Sequence, residues 1–478
     1  MRNAALNVSE QEYHKNINKI REHIINGDIY QANYTIKYHF DFSGSPLGLY
    51  NDLKKKQNVA YNVFAKFDDC CVLSLSPELF FRKRGNRITV KPMKGTIKRG
   101  KNISEDLENS GFLYSDEKNR SENVMIVDLL RNDIGKISER GSVKVTKLYE
   151  IEKYNTLFQM TSTIQSRLLK NVSIHEMIKS LFPSGSVTGA PKLRSMEIIN
   201  GFEIDERKIY TGAIGFFEPS GNAEFNIAIR TVLLCGSRGE MGIGGGIVYD
   251  SSPEGEFQEC RLKGNFLLQK SAVNFQLIET ILFDKKYRRL GHHIKRLKES
   301  AAYFDYRFSK KDLIRQLEDS AGPLADGRYR VRILLDKTGR LTVTRTHIDE
   351  PLNEYRITIS EKRTNSDDIF LYHKTTNREL YTNELEKARE NGFFDILFFN
   401  DKDELTEGSI TNVYFLQGGI IYTPPVKCGL LNGTMRQSLI NKNKILEKLI
   451  TYDELKIADA IYISNAIIGF QKASLISS

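Results

Sequence analysis

Hydrophobic and polar residues follow each other along this chain with two different periods. A helical period predicts helices at 11–26, 120–134, 174–182, 251–271 and 292–304. Alternation with a period of two, together with β-branched residues, predicts strands at 71–76, 79–84, 87–91, 209–217, 224–234, 241–249 and 274–284. The chain is therefore expected to mix helices and strands along its whole length.

The pattern restarts near residue 271, where a predicted helix ends and a new strand begins close to Asn274. We place a domain boundary there, which defines domains at 1–271 and 272–478. A chain of 478 residues suits two or three domains. No Gly/Ser-rich spacer separates the two parts, so packed domains are expected rather than domains on a flexible tether.

Composition narrows the class of function. The chain is 40% hydrophobic and 27% charged, and no apolar run reaches the ~20 residues of a membrane helix. The N-terminus lacks the apolar stretch of a secretory signal, and the five cysteines show neither a disulfide framework nor metal-site spacing, which is typical of the cytoplasm. The net charge of +10 suits an anionic small substrate as well as nucleic acid. Because the basic residues are scattered among acidic ones, we expect neither nucleic acid nor a membrane as a partner.

The stretch ITVKPMKGTIKRG (88–100) is predicted to be a strand that runs into a turn, with Lys94 at the bend. A lysine near other cations on a rigid turn loses its proton more easily and can act as a base or nucleophile. A solvated basic turn would have the same sequence. Lys94 is therefore a candidate catalytic residue that needs a site around it.

Carboxylates and anion-binding loops are the other candidates in this part of the chain. Glu122 opens a predicted helix, and Glu256 and Glu259 project from one face of another, so that together they would suit Mg²⁺, although solvated helix faces would have the same spacing. The glycine run 242–248 and the loop 182–192 could bring backbone N–H groups to an anion, or could simply form tight structure. Arg230 and Lys263 could each bind a carboxylate.

A series of motifs in this region resembles the chorismate-binding domain of chorismate-utilising enzymes over roughly 10–268. The motifs are GDIYQANYT, SPELFF, KPMKGT, SENVMIVDLLRND, LFPSGSVTGAPK, YTGAIGF, FNIAIRT and GGGIVYDSSPEGEFQE, in this order. The resemblance implies an α+β fold with a two-sheet β-sandwich and surrounding helices. It also implies that chorismate binds with Mg²⁺.

The resemblance implies roles for individual residues. Glu122, Glu256 and Glu259 would surround the metal, and Glu78 would protonate the departing C4 hydroxyl of chorismate. The substrate carboxylates would be held by a set of cationic, backbone and hydroxyl groups at Arg230, Lys263, Gly245, Gly246 and Thr188.

Lys94 indicates the branch of the family. Anthranilate synthases carry alanine at this position, whereas aminodeoxychorismate synthases carry a lysine that adds to the ring before ammonia displaces it. Isochorismate and salicylate synthases also carry a lysine there, as a base for water, so the choice between water and ammonia stays open. The role of Gln159, which stands where many relatives have histidine, also stays open. Compared with full-length relatives the chain is short at its N-terminus, and no cysteine lies in a glutaminase motif. Ammonia is therefore expected from solution or from a separate glutaminase subunit.

The second part of the chain has the residue types that a pyridoxal phosphate site needs. Such a site requires a lysine that bonds to the cofactor, a carboxylate near the ring nitrogen, a cation and a phosphate cradle. Lys374 and Glu407 are candidates for the first two, and Arg296 for the third. The cradle would comprise Gly433, Thr434, Ser464 and Asn465. Each residue taken alone could equally be a solvated surface group.

In this order the residues resemble the class IV aminotransferase fold over roughly 274–478, a fold that includes 4-amino-4-deoxychorismate lyase. The resemblance implies pyridoxal 5'-phosphate and, since members are usually dimers, favours a homodimer through this domain. The HKTTNR motif at 373–378 is closer to lyases than to branched-chain aminotransferases. A synthase joined to a lyase would convert chorismate to 4-aminobenzoate for folate synthesis.

Two alternatives remain at this point. One is an isochorismate- or anthranilate-type synthase joined to an amino-acid aminotransferase. The other is a non-catalytic protein that binds chorismate, against which the presence of Glu78, Lys94, Glu122 and Lys374 argues.

Overall fold

A computed structural model of the chain describes residues 1–57, 59–268, 274–321, 327–442 and 444–476. The chain divides into two compact units. The N-terminal unit comprises Met1–Arg99 and Glu108–Ala272, and the C-terminal unit comprises Gly100–Leu107 and Val273–Ser478. The boundary predicted near residue 271 lies outside the described residues.

Helices and strands of the N-terminal unit alternate along the chain. The strands are β1 (Arg2–Leu6), β2 (Gln31–Asp41), β3 (Tyr61–Phe67), β4 (Cys70–Ser76), β5 (Leu79–Arg84), β6 (Arg87–Lys91), β7 (Met93–Lys98), β8 (Lys144–Lys153), β9 (Leu157–Arg167), β10 (Gly189–Ala190), β11 (Ala213–Phe217), β12 (Ala223–Ile227), β13 (Thr231–Cys235) and β14 (Arg238–Ile247). The helices are α1 (Glu10–Ile25), α2 (Pro46–Lys56), α3 (Ile103–Ser115), α4 (Glu117–Gly135), α5 (Ile174–Leu181), α6 (Lys192–Asn200) and α7 (Pro253–Leu268). The first residues of α3, up to Leu107, are counted with the C-terminal unit.

The strands of this unit form two seven-stranded sheets. The first has the order β1-β2-β14-β13-β4-β3, with β10 paired to β2, and the second has the order β11-β12-β5-β6-β9-β7, with β8 paired to β9. Each sheet buries one apolar face against helices. Residues of α1, α2, α6 and α7 join the core of the first sheet, and residues of α4 and α5 join that of the second.

The C-terminal unit is also a mixture of helices and strands. Its strands are β15 (Leu277–Asp284), β16 (Lys286–Tyr287), β17 (Arg328–Leu335), β18 (Leu341–His347), β19 (Arg356–Thr364), β20 (Asp395–Asn400), β21 (Leu405–Gly408), β22 (Asn412–Gln417), β23 (Ile420–Thr423), β24 (Leu446–Glu447), β25 (Ala460–Asn465) and β26 (Gly469–Leu475). Its helices are α8 (Leu290–Phe304), α9 (Lys310–Ala321), α10 (Glu379–Glu390), α11 (Thr434–Ile440) and α12 (Tyr452–Lys456).

These strands form a four-stranded sheet in the order β16-β15-β17-β18 and an eight-stranded sheet in the order β21-β20-β19-β26-β25-β22-β23-β24. The first sheet packs its apolar face against α8 and α9, and the second has a separate core. The α+β fold class is confirmed. Among the described residues, no helix is both long and apolar enough to cross a bilayer.

Most predicted elements are present, and the exceptions are local. The strand predicted at 224–234 is two strands, because the chain leaves the sheet after Ile227 and Arg230 adopts a left-handed conformation with φ 49°. The strand predicted at 209–217 begins only at Ala213. The first of these deviations lies at a candidate site residue, Arg230.

The cysteines also differ from expectation, since Cys70 and Cys235 form a disulfide. They are directly opposite each other on the antiparallel strands β4 and β13, although 165 residues separate them in sequence. The cysteine spacing in the sequence has no framework pattern because strand register, rather than local spacing, creates this pair. Cys71, Cys260 and Cys428 are free and buried.

Gly189 is a test of the N-terminal fold. Its φ is 154°, and a Cβ there would lie 2.2 Å from the carbonyl oxygen of Gln31 on the paired strand β2. Gly189→Ala should therefore destabilise this unit by roughly 1–3 kcal/mol. The measurement is the melting temperature of this unit by calorimetry, which should be lower in the variant. Gly111→Ala is the matched control, because open space surrounds its Cβ position and alanine favours a helix. A Gly189→Ala protein that melts like the control would contradict the described packing.

Candidate active sites

A cavity of about 290 Å³ lies in the N-terminal unit, between strands of its two sheets and the helices α4 and α7. Most of the residues predicted for chorismate line this one cavity. They are Glu78, Lys94, Glu122, Arg230, Gly246, Glu256, Glu259 and Lys263. The tertiary structure thus brings together groups from five separate sequence motifs.

The expectation that Lys94 lies at the bend of a turn is wrong, because Lys94 lies in the strand β7, where the pairing with β9 is irregular between Met93 and Thr96. Such bulges redirect side chains near active sites. Burial lowers the pKa of the Lys94 amine, and the negative charge of Glu122 opposes this effect only in part. Gln159 braces the bulge, because its amide donates to the Gly95 carbonyl oxygen at 3.1 Å and its oxygen accepts from Thr96 at 3.3 Å.

The glycine run of β14 lets the backbone approach the charged groups. A Cβ at Gly246 would lie 2.5 Å from the Lys94 Nζ and 2.5 Å from the Gln31 Nε2. A Cβ at Gly245 would lie 2.8 Å from the Glu256 Oε2. An alanine at either position would therefore displace the end of a side chain that lies in or beside the cavity.

Gln31 is a residue that the sequence analysis missed. Its side chain is fully buried, and neither its amide nitrogen nor its oxygen has a hydrogen-bond partner among the described residues. It lies beside Lys94 and Gly246. The available signal was a glutamine at the start of a strand whose other residues are mostly apolar or hydroxyl-bearing.

The three predicted metal ligands have different environments within the cavity. Burial raises the pKa of Glu122 and of Glu256, and the neighbouring charge of Glu259 raises that of Glu256 further. Burial has the same tendency at Glu259, but the charge and hydrogen bond of Lys263, at 2.7 Å, outweigh it and lower the pKa. Glu256 also accepts a hydrogen bond from Ser251 at 2.7 Å.

Three carboxylates that repel one another around one cavity are a donor set that suits Mg²⁺, which prefers oxygen ligands and keeps several waters. Their oxygens are more widely spread than those of a preformed close cluster. Among the described residues, the one trio of His, Cys, Asp or Glu whose ligand atoms all lie within 4.8 Å is Glu10, His14 and Glu254 on the surface. A metal at the predicted site would thus be shared with substrate and water.

Lys263 and Arg230 supply positive charge on the same cavity. Lys263 donates to the Gly244 carbonyl oxygen at 2.9 Å, and although burial lowers its pKa, the carboxylate of Glu259 raises it overall. Burial lowers the pKa of Arg230 to about 10, so that it is charged at neutral pH. Both residues are therefore permanent cations.

Glu78 is only 4% exposed, and burial raises the pKa of its carboxyl to about 7. Ser186 donates a hydrogen bond to its Oε1 at 2.8 Å and lines the cavity. Thr188, two residues further on, does not line the cavity, and its hydroxyl donates to the Ser184 carbonyl oxygen. The loop 182–192 thus contributes Ser186, and the geometry does not bring Thr188 to the cavity.

In the C-terminal unit, Lys374 is half-buried beside several charged groups. Burial lowers the pKa of its amine to about 7, and the positive charges of Arg378 and Arg296 act in the same direction. No described residue forms a hydrogen bond or ion pair with the amine. A lysine amine that is partly neutral near pH 7 and has no such partner fits covalent attachment of an aldehyde cofactor.

Glu407 lies in β21 near Lys374, and burial raises the pKa of its carboxyl to about 8. Its oxygens accept hydrogen bonds from Tyr381 at 3.3 Å, Asn412 at 3.2 Å and the Leu431 amide at 3.1 Å. A carboxyl group held in this way is suited to share a proton with the ring nitrogen of a pyridine cofactor.

Arg296 belongs to a buried network. Its Nε and one terminal nitrogen donate to Glu279 at 2.8 and 2.7 Å, and His293 bonds to the same carboxylate at 2.6 Å. The other nitrogen of the His293 ring lies 3.3 Å from the Thr434 hydroxyl. The network connects the predicted cation to the predicted phosphate cradle.

The other cradle residues are engaged in local structure. Gly433 precedes the first turn of α11, and the Ser464 hydroxyl lies 2.7 Å from that of Tyr414. The Asn465 side chain accepts from the amides of Ile467 and Ile468, and so holds the turn after β25. Lysine, carboxyl, cation and ordered turns are all present, and they fit pyridoxal phosphate.

Comparisons with known proteins agree with this arrangement. Residues 2–269 match the chorismate binding enzyme family, and residues 276–476 match amino-transferase class IV. Aminodeoxychorismate synthase component 1 of Escherichia coli is 35% identical over 264 residues, which cover 55% of this chain and 58% of that protein. Anthranilate synthase component 1 of Lactococcus lactis is 38% identical over 267 residues, which cover 56% and 59%.

The structure of anthranilate synthase component I from Streptococcus pneumoniae superimposes with a TM-score of 0.52 at 33% identity, covering 56% of this chain and 59% of that one. The chain thus spans less than two thirds of the length of these relatives. Overall identity is similar for both kinds of synthase, so it does not distinguish their reactions.

The buried position of Glu78 predicts that its carboxyl group titrates at an unusually high pH. In ¹³C NMR spectra of glutamate-labelled protein, one carboxyl should titrate near pH 7 and be absent from Glu78→Gln. Because the Ser186 hydroxyl stabilises the charged carboxylate, Ser186→Ala should raise that pKa further. Thr188→Ala, a change in the same loop, should leave it in place. A Glu78 signal that titrates near pH 4.5 in the unchanged protein would contradict this environment.

Proposed function

Because the chain belongs to the family of chorismate binding enzymes, we propose that it makes 4-aminobenzoate from chorismate in two steps, one in each unit. The first step replaces the C4 hydroxyl of chorismate with an amino group to form 4-amino-4-deoxychorismate. The second removes pyruvate and leaves the aromatic product. The observation that carries the proposal is the position of Lys94, a buried amine on the cavity that also holds Glu78, Glu122 and Arg230.

In the first step the residues divide the work by charge. Arg230 and Lys263 would bind the substrate carboxylates. Glu78, with a pKa near 7, would give its proton to the departing hydroxyl, which leaves as water. Lys94 would add to the ring, and ammonia would then take its place and release the lysine.

Glu122, Glu256 and Glu259 would hold Mg²⁺ together with a substrate carboxylate. The ion would balance the negative charge that these side chains and the substrate bring into one cavity.

In the second step pyridoxal 5'-phosphate, when bound, would supply an electron sink. Lys374 would attach it and later move a proton as the ring of the product becomes aromatic. Glu407 would keep a proton at the ring nitrogen. The cofactor phosphate would lie against Arg296 and the turns at Gly433–Thr434 and Ser464–Asn465, a role supported by the class IV match.

We also propose a source of ammonia, a cellular role and location, domain boundaries and an oligomeric state. Ammonia would come from a separate glutaminase subunit, as the name component 1 of the relatives suggests, and the product would serve folate synthesis in the cytoplasm. The synthase and lyase domains would be 1–271 and 272–478, and the second would form a homodimer.

The decisive experiment incubates the protein with chorismate, Mg²⁺, ammonium salt and pyridoxal phosphate and identifies the products by chromatography. Lys94→Ala should lose synthase activity by several orders of magnitude, because a covalent step is removed, and should still convert supplied 4-amino-4-deoxychorismate. Lys374→Ala should accumulate that intermediate and lose the visible absorbance of the bound cofactor.

Lys98→Ala is the control for the first variant, since this residue is exposed on the same strand. Formation of 2-aminobenzoate or isochorismate would instead favour the alternative synthases. Normal 4-aminobenzoate production by Lys374→Ala would remove the lyase assignment.

The metal assignment has a test of its own. Glu122→Gln and Glu259→Gln remove charge with little change in volume, and each should raise the Mg²⁺ concentration needed for half-maximal synthase rate by roughly tenfold or more. Glu117→Gln is the matched control on α4, the helix that carries Glu122, because Glu117 is exposed. If both variants keep the Mg²⁺ requirement of the unchanged protein, these carboxylates do not bind the metal.

A further inference from the structure

Arg230 is a buried cation whose charge has no carboxylate partner among the described residues. It is 8% exposed. It lies between β12 and β13, and its backbone is left-handed there. Its guanidinium lies 5.6 Å from the centre of the Tyr154 ring. A non-glycine residue in this conformation costs free energy, and such strain concentrates at functional sites.

The side chain that holds Arg230 is Gln57. One terminal nitrogen of Arg230 donates to the Gln57 Oε1 at 2.7 Å, and Gln57 is itself 5% exposed. Gln57 follows the last residue of α2, and its backbone N–H donates to the Leu53 carbonyl oxygen, so that the helix end sets its position. The bond joins residues 173 positions apart in sequence.

A neutral partner distinguishes Arg230 from several other arginines of this protein. Arg207, Arg296 and Arg436 are paired with Glu203, Glu279 and Glu447, whereas Arg378 donates to the Ser409 carbonyl oxygen. An amide oxygen directs a guanidinium without neutralising it, whereas a carboxylate would do both. The charge of Arg230 is thus directed and still available on the cavity.

We infer that Gln57 is a positioning residue that holds Arg230 toward the cavity and, by being neutral, leaves its charge for a carboxylate of the ligand. The identity of that ligand as chorismate rests on the proposed function. Gln57 does not neutralise the charge of Arg230. A neutral amide at this position is therefore explained by the anion that Arg230 binds.

Two substitutions at Gln57 should have different effects. Gln57→Glu would place a carboxylate on Arg230 and compete with the ligand, although the new ion pair should keep the protein at least as stable. Gln57→Ala would release the guanidinium without neutralising it. Asn155→Ala is the control, because Asn155 donates to the backbone of Lys56 next to Gln57 but does not bond to Arg230.

The test is calorimetric titration of the full chain with chorismate in the presence of Mg²⁺, together with melting temperatures. We expect affinity to fall roughly tenfold or more in Gln57→Glu, several-fold in Gln57→Ala, and little in Asn155→Ala. In steady-state assays the loss should appear mainly in KM. If Gln57→Glu binds chorismate like the unchanged protein while Arg230→Ala does not, the inference fails and the proposed function stands. If the unchanged protein does not bind chorismate, the proposed function fails and the inference falls with it.

Discussion

The candidate site of the N-terminal unit depends on several charged side chains that are buried around one cavity. A charge removed from water is costly unless opposite charges or hydrogen bonds compensate it. Here the carboxylates of α4 and α7 compensate the amines of Lys94 and Lys263. Arg230 contacts the Gln57 amide and the Tyr154 ring and pairs with no carboxylate among the described residues. The two sheets and the helices on them hold these groups in place at the expense of stability, which is the usual condition of a binding site.

Two lysines on this cavity illustrate how surroundings assign chemistry. Lys263 has a carboxylate and a carbonyl oxygen as partners, and its pKa is raised overall, so that it remains a cation. Lys94 has no comparable hydrogen bond among the described residues, and burial lowers its pKa. One residue type therefore provides a fixed charge at one position and a reactive amine at the other.

The same combination of an amine and a carboxyl occurs in each unit. Lys94 and Glu78 share the first cavity, and Lys374 lies near Glu407 in the C-terminal unit, where their pKa values are about 7 and about 8. Burial moves an amine and a carboxyl in opposite directions, and both become able to exchange protons near neutral pH. Both reactions of the proposed function need such groups.

The sequence by itself determined the α+β class, most helices and strands, and the residue types that line the first cavity. This was possible because hydrophobic periodicity is local and because ordered motifs carry the glutamates, the lysines and the glycine run with them. Only the tertiary structure decided which member of a loop reaches the site: Ser186 bonds to Glu78 across 108 residues, and Thr188 turns away. It also decided the pairing of Cys70 with Cys235, the break before Arg230, the burial of Gln31 and the contact of Gln57 with Arg230. These depend on strand register and on contacts between distant segments, and no local pattern in a single chain encodes such contacts.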